Sequence, residues 1–314
     1  MLKEIKISKN FDLTFFNTFR LSAKAQFFVI VKNEDELLAA ARWAKAKGLP
    51  LAVIGGGSNI LLAGKLVKGL VIKISGEKYS VNGNYLSAWA GTSLAKLVKA
   101  AESASLSGLE WAVGVPGHLG GAVRGNAGAY GSDIGGQAAA VKVYDLNRGA
   151  FFKLKKSRCG FGYRDSVFKQ DNSLLIVEAD LMMKPGNKAE IRRLTRKNMR
   201  HRLQIQPKQP SAGCVFKNLE YDKLLSLNKN LALELRTKGL VRAGKIGVGY
   251  LINQLGLKGL SRGHAKISET HANFIVNTGQ ASSADVDRLI KFVKNRVKIK
   301  YKINLEEEIQ HFGK

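Results

Sequence analysis

The chain has 314 residues, 45% of them apolar, which is enough to bury the cores of two or three domains and excludes a disordered chain. Its 51 Lys and Arg against 24 Asp and Glu give a formal charge of +27, which suits phosphate-bearing ligands; yet the sequence shows no zinc-finger, RNP or basic-zipper spacing and no aromatics interleaved with its basic residues for stacking bases. No run of about 18 apolar residues exists, residues 1–6 carry charges where a signal peptide needs an apolar stretch, and Cys159 and Cys214 stand without CxxC spacing, so a cytoplasmic protein with no membrane span, structural zinc or disulfide framework is expected.

In chain order, the apolar segment 27–31 reads as a strand. Asn33, with Glu36 three residues on, then caps a helix that carries Leu37, Leu38, Ala41, Trp43 and Ala44 toward Gly48 and Pro50. Residues 51–54 read as a buried strand running into Gly55-Gly56-Gly57-Ser58-Asn59, so strand, helix and strand make a βαβ unit with a glycine turn. The turn fails both better-known nucleotide fingerprints. GxGxxG needs glycine at Ile60, and a P-loop needs Gly at Asn59 and Ser or Thr at Leu66. A nest of backbone N–H groups beside Ser58 and Asn59 still suits a phosphate, as the same residues also suit a plain loop.

Residues 70–90 alternate short apolar runs with Gly and Asn, as strands do, and Leu94, Leu97, Val98 and Ala101 give residues 93–104 a helical face. Residues 114–131 then hold seven glycines. Glycine loses the most backbone freedom on folding and adds no packing. So dense a run points to main chain that must approach a ligand closely, with N–H groups left to bind it, and an anionic cofactor is the leading candidate. Strands are expected over 138–154 and 174–183. A charged helix over 189–202 holds the densest basic cluster, Arg192, Arg193, Arg196, Lys197, Arg200 and Arg202. After a linker at 206–210, the last elements are a helix capped by Ser282 and Asp285, with Val286, Leu289, Ile290, Val293 and Val297 on its apolar face, and a terminal strand over 302–309.

Two glycine segments about sixty residues apart, the second ending in Asn126-Ala127-Gly128-Ala129-Tyr130-Gly131, resemble the paired flavin-contacting loops of the vanillyl-alcohol-oxidase-like (PCMH-type) FAD domain. Four further motifs follow in order: Tyr163-Arg164-Asp165-Ser166-Val167-Phe168-Lys169, Pro210-Ser211-Ala212-Gly213-Cys214-Val215-Phe216-Lys217-Asn218, a strand His271-Ala272-Asn273-Phe274-Ile275-Val276-Asn277, and Leu305-Glu306-Glu307-Glu308-Ile309. With them, nearly everything from Asn17 to Gly313 resembles the UDP-N-acetylenolpyruvoylglucosamine reductase family. The resemblance implies an α+β fold: two α/β FAD-binding subdomains, residues 1–75 joined by a C-terminal strand in 301–314 and residues 76–203, plus a C-terminal α+β substrate domain, 204–300. It implies that NADPH reduces a non-covalently held FAD, which passes hydride to the enolpyruvyl ether of the UDP-sugar, giving UDP-N-acetylmuramate for peptidoglycan. A monomer with no metal, nucleic-acid or membrane partner is expected. The short span from Val177 to Arg192 matches the shorter family form, which lacks an extra substrate-covering loop.

By the same resemblance the flavin contacts are Gly55, Gly56, Gly57, Ser58, Asn59 and Ile60, then Pro116, Gly117, Gly120, Gly121, Ala122, Asn126, Ala127, Gly128, Ala129 and Tyr130. Arg164 stabilises the carboxylate side of the enolate, for which a planar, permanently charged guanidinium is suited. Cys214 is the proton donor, where relatives commonly carry Ser; a thiol with a reference pKa of about 8.5 is mostly protonated at neutral pH. Glu308 is the second catalytic group, chosen by motif because strand alternation puts Glu306 and Glu308 on one face and cannot separate them. Tyr163, Lys217, Asn218 and Arg202 are the substrate contacts, and His118 is taken as a loop residue. Leu219, in place of a usual Pro, and Arg124-Gly125, in place of an apolar pair, depart from the family pattern. A flavin oxidase on the same scaffold, or a basic nucleic-acid-binding protein, are the competing readings.

Overall fold

A computed structural model of the chain describes residues 5–313, so most of the charged segment 1–6 lies outside the described residues. Contacts divide the chain into two units: residues 1–11, 25–57 and 68–204, and residues 12–24, 58–67 and 205–314.

Ser8–Asp12, Lys24–Val31, Leu66–Ile74 and Leu51–Ile54, nearly all of whose residues belong to the first unit, form a sheet in that order. The helix Glu34–Ala46 starts where Asn33 accepts the Glu36 amide, while the Glu36 carboxylate reaches back to the Lys32 amide. Three acidic residues in its first turn complement the helix dipole. Leu51–Ile54 runs parallel to Leu66–Ile74 but at the sheet's edge, so only Ile54 is buried; the expected buried strand is half-covered because one flank has no neighbour.

A second sheet, wholly antiparallel, runs Ala150–Lys155, Ala138–Asp145, Leu174–Met182, Tyr85–Trp89, Tyr79–Asn82. The helix Leu94–Ser103, capped by the Ser93 hydroxyl, shares a core with it through Leu86, Trp89, Leu97, Trp111, Val141, Val143 and Leu181. Lys188–Ile205 is helical over more than the expected 189–202. The glycine-dense segment is also not loop throughout. Leu119–Arg124 is a short helix that buries Leu119, Ala122 and Val123. Their i, i+3, i+4 spacing is a helical face that the glycine count conceals.

In the second unit, Ser211–Cys214, Phe274–Asn277, Ala265–Ile267 and Ser261–Arg262 form an antiparallel sheet. The helix Ser283–Tyr301 packs on it, starting from a full Ser282/Asp285 capping box and burying Val286, Leu289, Ile290, Val293 and Val297. Phe274 opens the strand that the sequence suggested from His271; Asn273 is still in a turn, its amide bonded to His271 Nδ1. The terminal strand is also displaced. Gln310–Phe312 pairs in parallel with Ile60–Leu62, whereas 302–309 is irregular apart from a Phe216–Glu307 bridge. Ile303, Leu305 and Ile309 are nonetheless buried, so the period-2 pattern records which side faces the core, not a hydrogen-bonded ladder.

Candidate active site

In the first unit the two glycine segments meet main chain to main chain. A Cβ built on Gly56 would stand 2.6 Å from the Gly117 Cα, which no side-chain-bearing residue tolerates. Lys73, on Leu66–Ile74, donates to the Gly55 carbonyl, and burial pulls its ammonium pKa down to about 8. His118, the N-cap residue of Leu119–Arg124, lies beside the same glycine, its Cβ 3.7 Å from where a Gly55 Cβ would be. Its Nδ1 is buried with no hydrogen-bond partner, and burial, then the Lys73 charge, hold the ring below the usual imidazole pKa.

Farther along, Asn126 is 4% exposed with φ of 40°. Its Nδ2 donates to the Gly162 carbonyl at 2.7 Å and its Oδ1 accepts the Gly135 amide at 2.9 Å, so this side chain shapes the loop through the protein's own main chain. Arg164 also has a left-handed backbone, with φ of 56°. Its Nη2 donates to the Gly128 carbonyl at 2.8 Å, and its guanidinium stands 5.5 Å from the Tyr163 ring centroid. Asp165 is occupied by the Ser166 amide and Gln170 Nε2. The structure therefore joins Tyr163, Arg164, Asn126 and Gly128 in one cluster. Arg202 is elsewhere in this unit, against the ends of the glycine segment. It donates to the Trp111 carbonyl at 3.1 Å, lies 5.3 Å from the Tyr130 ring centroid, and would meet a Gly114 Cβ at 3.2 Å. Tyr130 Oη is 3.1 Å from His201 Nδ1.

In the second unit, Gly213 takes φ of 78° where the register shifts between Ser211 and Cys214, and Cys214 is partly exposed. Asn273 fixes the next residues: its carbonyl accepts the Val215 amide at 2.8 Å, and its side chain bonds both the amide and the carbonyl of Phe216. The Val215 carbonyl accepts the Glu308 amide at 2.8 Å. The Glu308 backbone is thus tied to the residue that follows Cys214, and Asn59 joins them by donating to the Glu308 carbonyl at 3.2 Å, with Ser58 and Ile60 as its chain neighbours. The neighbours of Glu308 in sequence are both paired: Glu306 with Lys223 at 2.9 Å and Lys217 at 3.5 Å, and Glu307 with Lys294 at 2.9 Å and the His311 ring at 2.8 Å. Asn218 is exposed and accepts the Val248 amide at 3.4 Å.

Reading the sequence missed Lys73 and Asn273 and discounted His118. An Asn immediately before an apolar run, as in Ala272-Asn273-Phe274, was the available signal for Asn273; one of two Lys in a nine-residue strand offers none. Cys159 is fully buried, donates to the Lys155 carbonyl, and has its thiol pKa pushed up to about 11 by burial, so it is no reagent. Among the described residues no three His, Cys, Asp or Glu gather as a metal site, and no helix is long and apolar enough to cross a membrane. An extended anionic cofactor fits the first unit: the glycines admit it, and the Lys73 ammonium, without a carboxylate partner among the described residues, and the orphaned His118 Nδ1 offer it polar contacts.

Residues 25–154 match the family described as FAD binding domain, and residues 206–312 match the C-terminal domain of UDP-N-acetylenolpyruvoylglucosamine reductase. A UDP-N-acetylenolpyruvoylglucosamine reductase of Prochlorococcus marinus (strain NATL2A) is 37% identical over 99% of this chain and 100% of its own length. One from Solibacter usitatus (strain Ellin6076) is 30% identical over 99% and 98%. The crystal structure of the Thermus caldophilus reductase superposes with a TM-score of 0.75 at 32% identity, covering 98% of this chain and 99% of that one.

Proposed function

Because the chain belongs to the UDP-N-acetylenolpyruvoylglucosamine reductase family, we propose that Arg164, Cys214 and Glu308 carry its reaction and that the glycine segments hold its flavin. The protein is an FAD-dependent oxidoreductase that uses NADPH to convert UDP-N-acetylenolpyruvoylglucosamine to UDP-N-acetylmuramate, a peptidoglycan precursor.

When bound, FAD supplies the hydride chemistry that links NADPH to the terminal alkene carbon of the substrate. Hydride arrival leaves negative charge on the carbon bearing the carboxylate, delocalised into that carboxylate as an enolate. Arg164 answers this charge with a guanidinium already oriented by Gly128 and Tyr163, so little reorganisation is needed as the charge grows. The Cys214 thiol delivers a proton to the carbanionic carbon, completing net addition of hydride and proton across the double bond. Glu308, whose amide is bonded to the carbonyl of the residue after Cys214, orients that transfer. Tyr163, Lys217 and Asn218 hold the UDP-sugar. Arg202 acts as a support of the flavin segment through Trp111 and Tyr130. The pairing of Gln310–Phe312 with Ile60–Leu62 supports joining the last strand to residues 1–75 in the three-part division.

One observation supports the assignment of roles: the Glu308 amide bonds the carbonyl of Val215, the residue that follows Cys214. Purified protein will be yellow and will oxidise NADPH rapidly only when the enolpyruvyl UDP-sugar is added; rapid reoxidation by air without NADPH dependence would mark an oxidase instead. A cytoplasmic monomer without nucleic-acid or membrane partners completes the proposal and is tested by gel filtration with and without DNA or lipid vesicles.

A further inference from the structure

We propose that Lys73 and His118 form a cofactor subsite around the Gly55 peptide, in which the Lys73 ammonium takes a phosphate oxygen of the FAD diphosphate and His118 Nδ1 accepts a hydroxyl of the adjoining ribityl chain. The inference rests on the flavin reading above and adds to it a charged contact, where backbone amides alone would otherwise hold the diphosphate.

Lys73 enters from Leu66–Ile74 and His118 from the N-cap of Leu119–Arg124, so the two glycine segments are bracketed by one cation and one imidazole. Among the described residues, the polar partner of Lys73 is the Gly55 carbonyl. An ammonium drawn below water at this point, toward a single neutral acceptor, is costly in the unliganded protein. Its lowered pKa reports that cost, and an arriving anion would remove it. His118 Nδ1 is buried and unmatched, and in the tautomer protonated at the other ring nitrogen it offers a lone pair to a hydroxyl donor. Lys73 and Glu77 are the charged groups facing the ring. A phosphate bears oxygens for the first group, and a polyol bears hydroxyl donors for the second. A cofactor that joins the two in sequence matches both.

The test is the rate at which holoenzyme releases FAD on dilution, read as the return of free flavin fluorescence. Lys73→Met should release FAD about tenfold faster or more, Lys73→Arg near the wild-type rate, His118→Phe several-fold faster, and His118→Gln, which keeps an acceptor, close to wild type. Flavin-free Lys73→Met should also melt higher than flavin-free wild type at pH 7, because the variant no longer buries a charge. Unchanged FAD release in Lys73→Met overturns the proposal. So does a raised KM for the UDP-sugar or NADPH with FAD release unaltered, which would assign the ammonium to a diphosphate other than the cofactor's. A lower melting temperature without faster release would make Lys73 structural and likewise overturn it. Failure of the flavin reading itself looks different, since wild-type protein would then carry no flavin at all.

Discussion

The two neighbourhoods assigned to the chemistry meet the same backbone problem in opposite ways. Around Arg164, three non-glycine residues, Asn126, Tyr130 and Arg164, hold φ of 40°, 54° and 56°, a region that costs L-residues of order 1–3 kcal/mol each. Around Cys214 the left-handed demand falls on Gly213, with φ of 78°, and neighbouring strands supply most of the rest. Glycine is the cheap solution, so its use beside the thiol and its absence at Arg164 locate what each side chain is for. Cys214 can be aimed by the residue before it. Arg164 must itself occupy the turn, because its guanidinium is what the turn presents.

The sharpest break of this contrast is Arg164→Gly against Arg164→Ala. Both should lower turnover about 100- to 1,000-fold, as loss of a donor aimed at developing charge does. The glycine variant should nevertheless be more stable than the alanine variant by about 1 kcal/mol in urea unfolding, since it occupies φ of 56° without a Cβ. A glycine variant that turns over at the wild-type rate would remove Arg164 from the mechanism. On the other side, Cys214→Ala should lose about 100-fold or more, while Cys214→Ser keeps measurable activity. Because Cys159 is fully buried, an alkylating reagent should label the folded protein once, at Cys214, and slow turnover in step with labelling. Full activity of Cys214→Ala would end the proton-donor role.

Asn126→Ala comes next in size. It leaves the Gly162 carbonyl and the Gly135 amide without their side-chain partners and frees the link between the glycine segment and the Arg164 turn. A loss of about 1–3 kcal/mol follows from the buried groups involved. Faster FAD release should accompany it, because Gly128, which Arg164 grips, lies two residues beyond. Destabilisation with unaltered FAD release would separate the loop's shape from its hold on the cofactor.

Much of this was legible in the sequence where a local rule has a single outcome. Asn33 and the Ser282–Asp285 pair both start helices, because a side-chain acceptor three residues before a free amide satisfies it wherever the helix packs. The glycine segments were visible as a cost without a local gain. What stayed hidden depended on neighbours distant in sequence. Nothing within 51–54 says that the strand lies at a sheet edge, and nothing within 302–309 says that the ladder forms only at Gln310. Lys73 was invisible for the same reason: a lysine in a strand is ordinary until the fold turns it toward Gly55. His118, by contrast, was visible but undervalued, since only burial leaves its Nδ1 without water.

The smallest effects test the choice among three adjacent glutamates. Burial by itself would raise the Glu307 pKa, but hydrogen bonds from Lys294 and His311 outweigh it and hold the carboxyl below its usual 4.5. A carboxylate depressed in the folded state binds fewer protons there than when unfolded, so its stabilisation is present above pH 4.5 and is lost as the pH falls through the lower, folded value. Glu307→Gln should therefore cost under about 1 kcal/mol at pH 7, given its part exposure, and should flatten the fall in urea midpoint below pH 4.5. Its turnover at pH 7 should stay within about twofold of wild type, whereas Glu308→Gln should lose at least about tenfold. The opposite pattern, turnover lost in Glu307→Gln and kept in Glu308→Gln, would transfer the catalytic role by one residue and break the link between Cys214 and Glu308 through Val215.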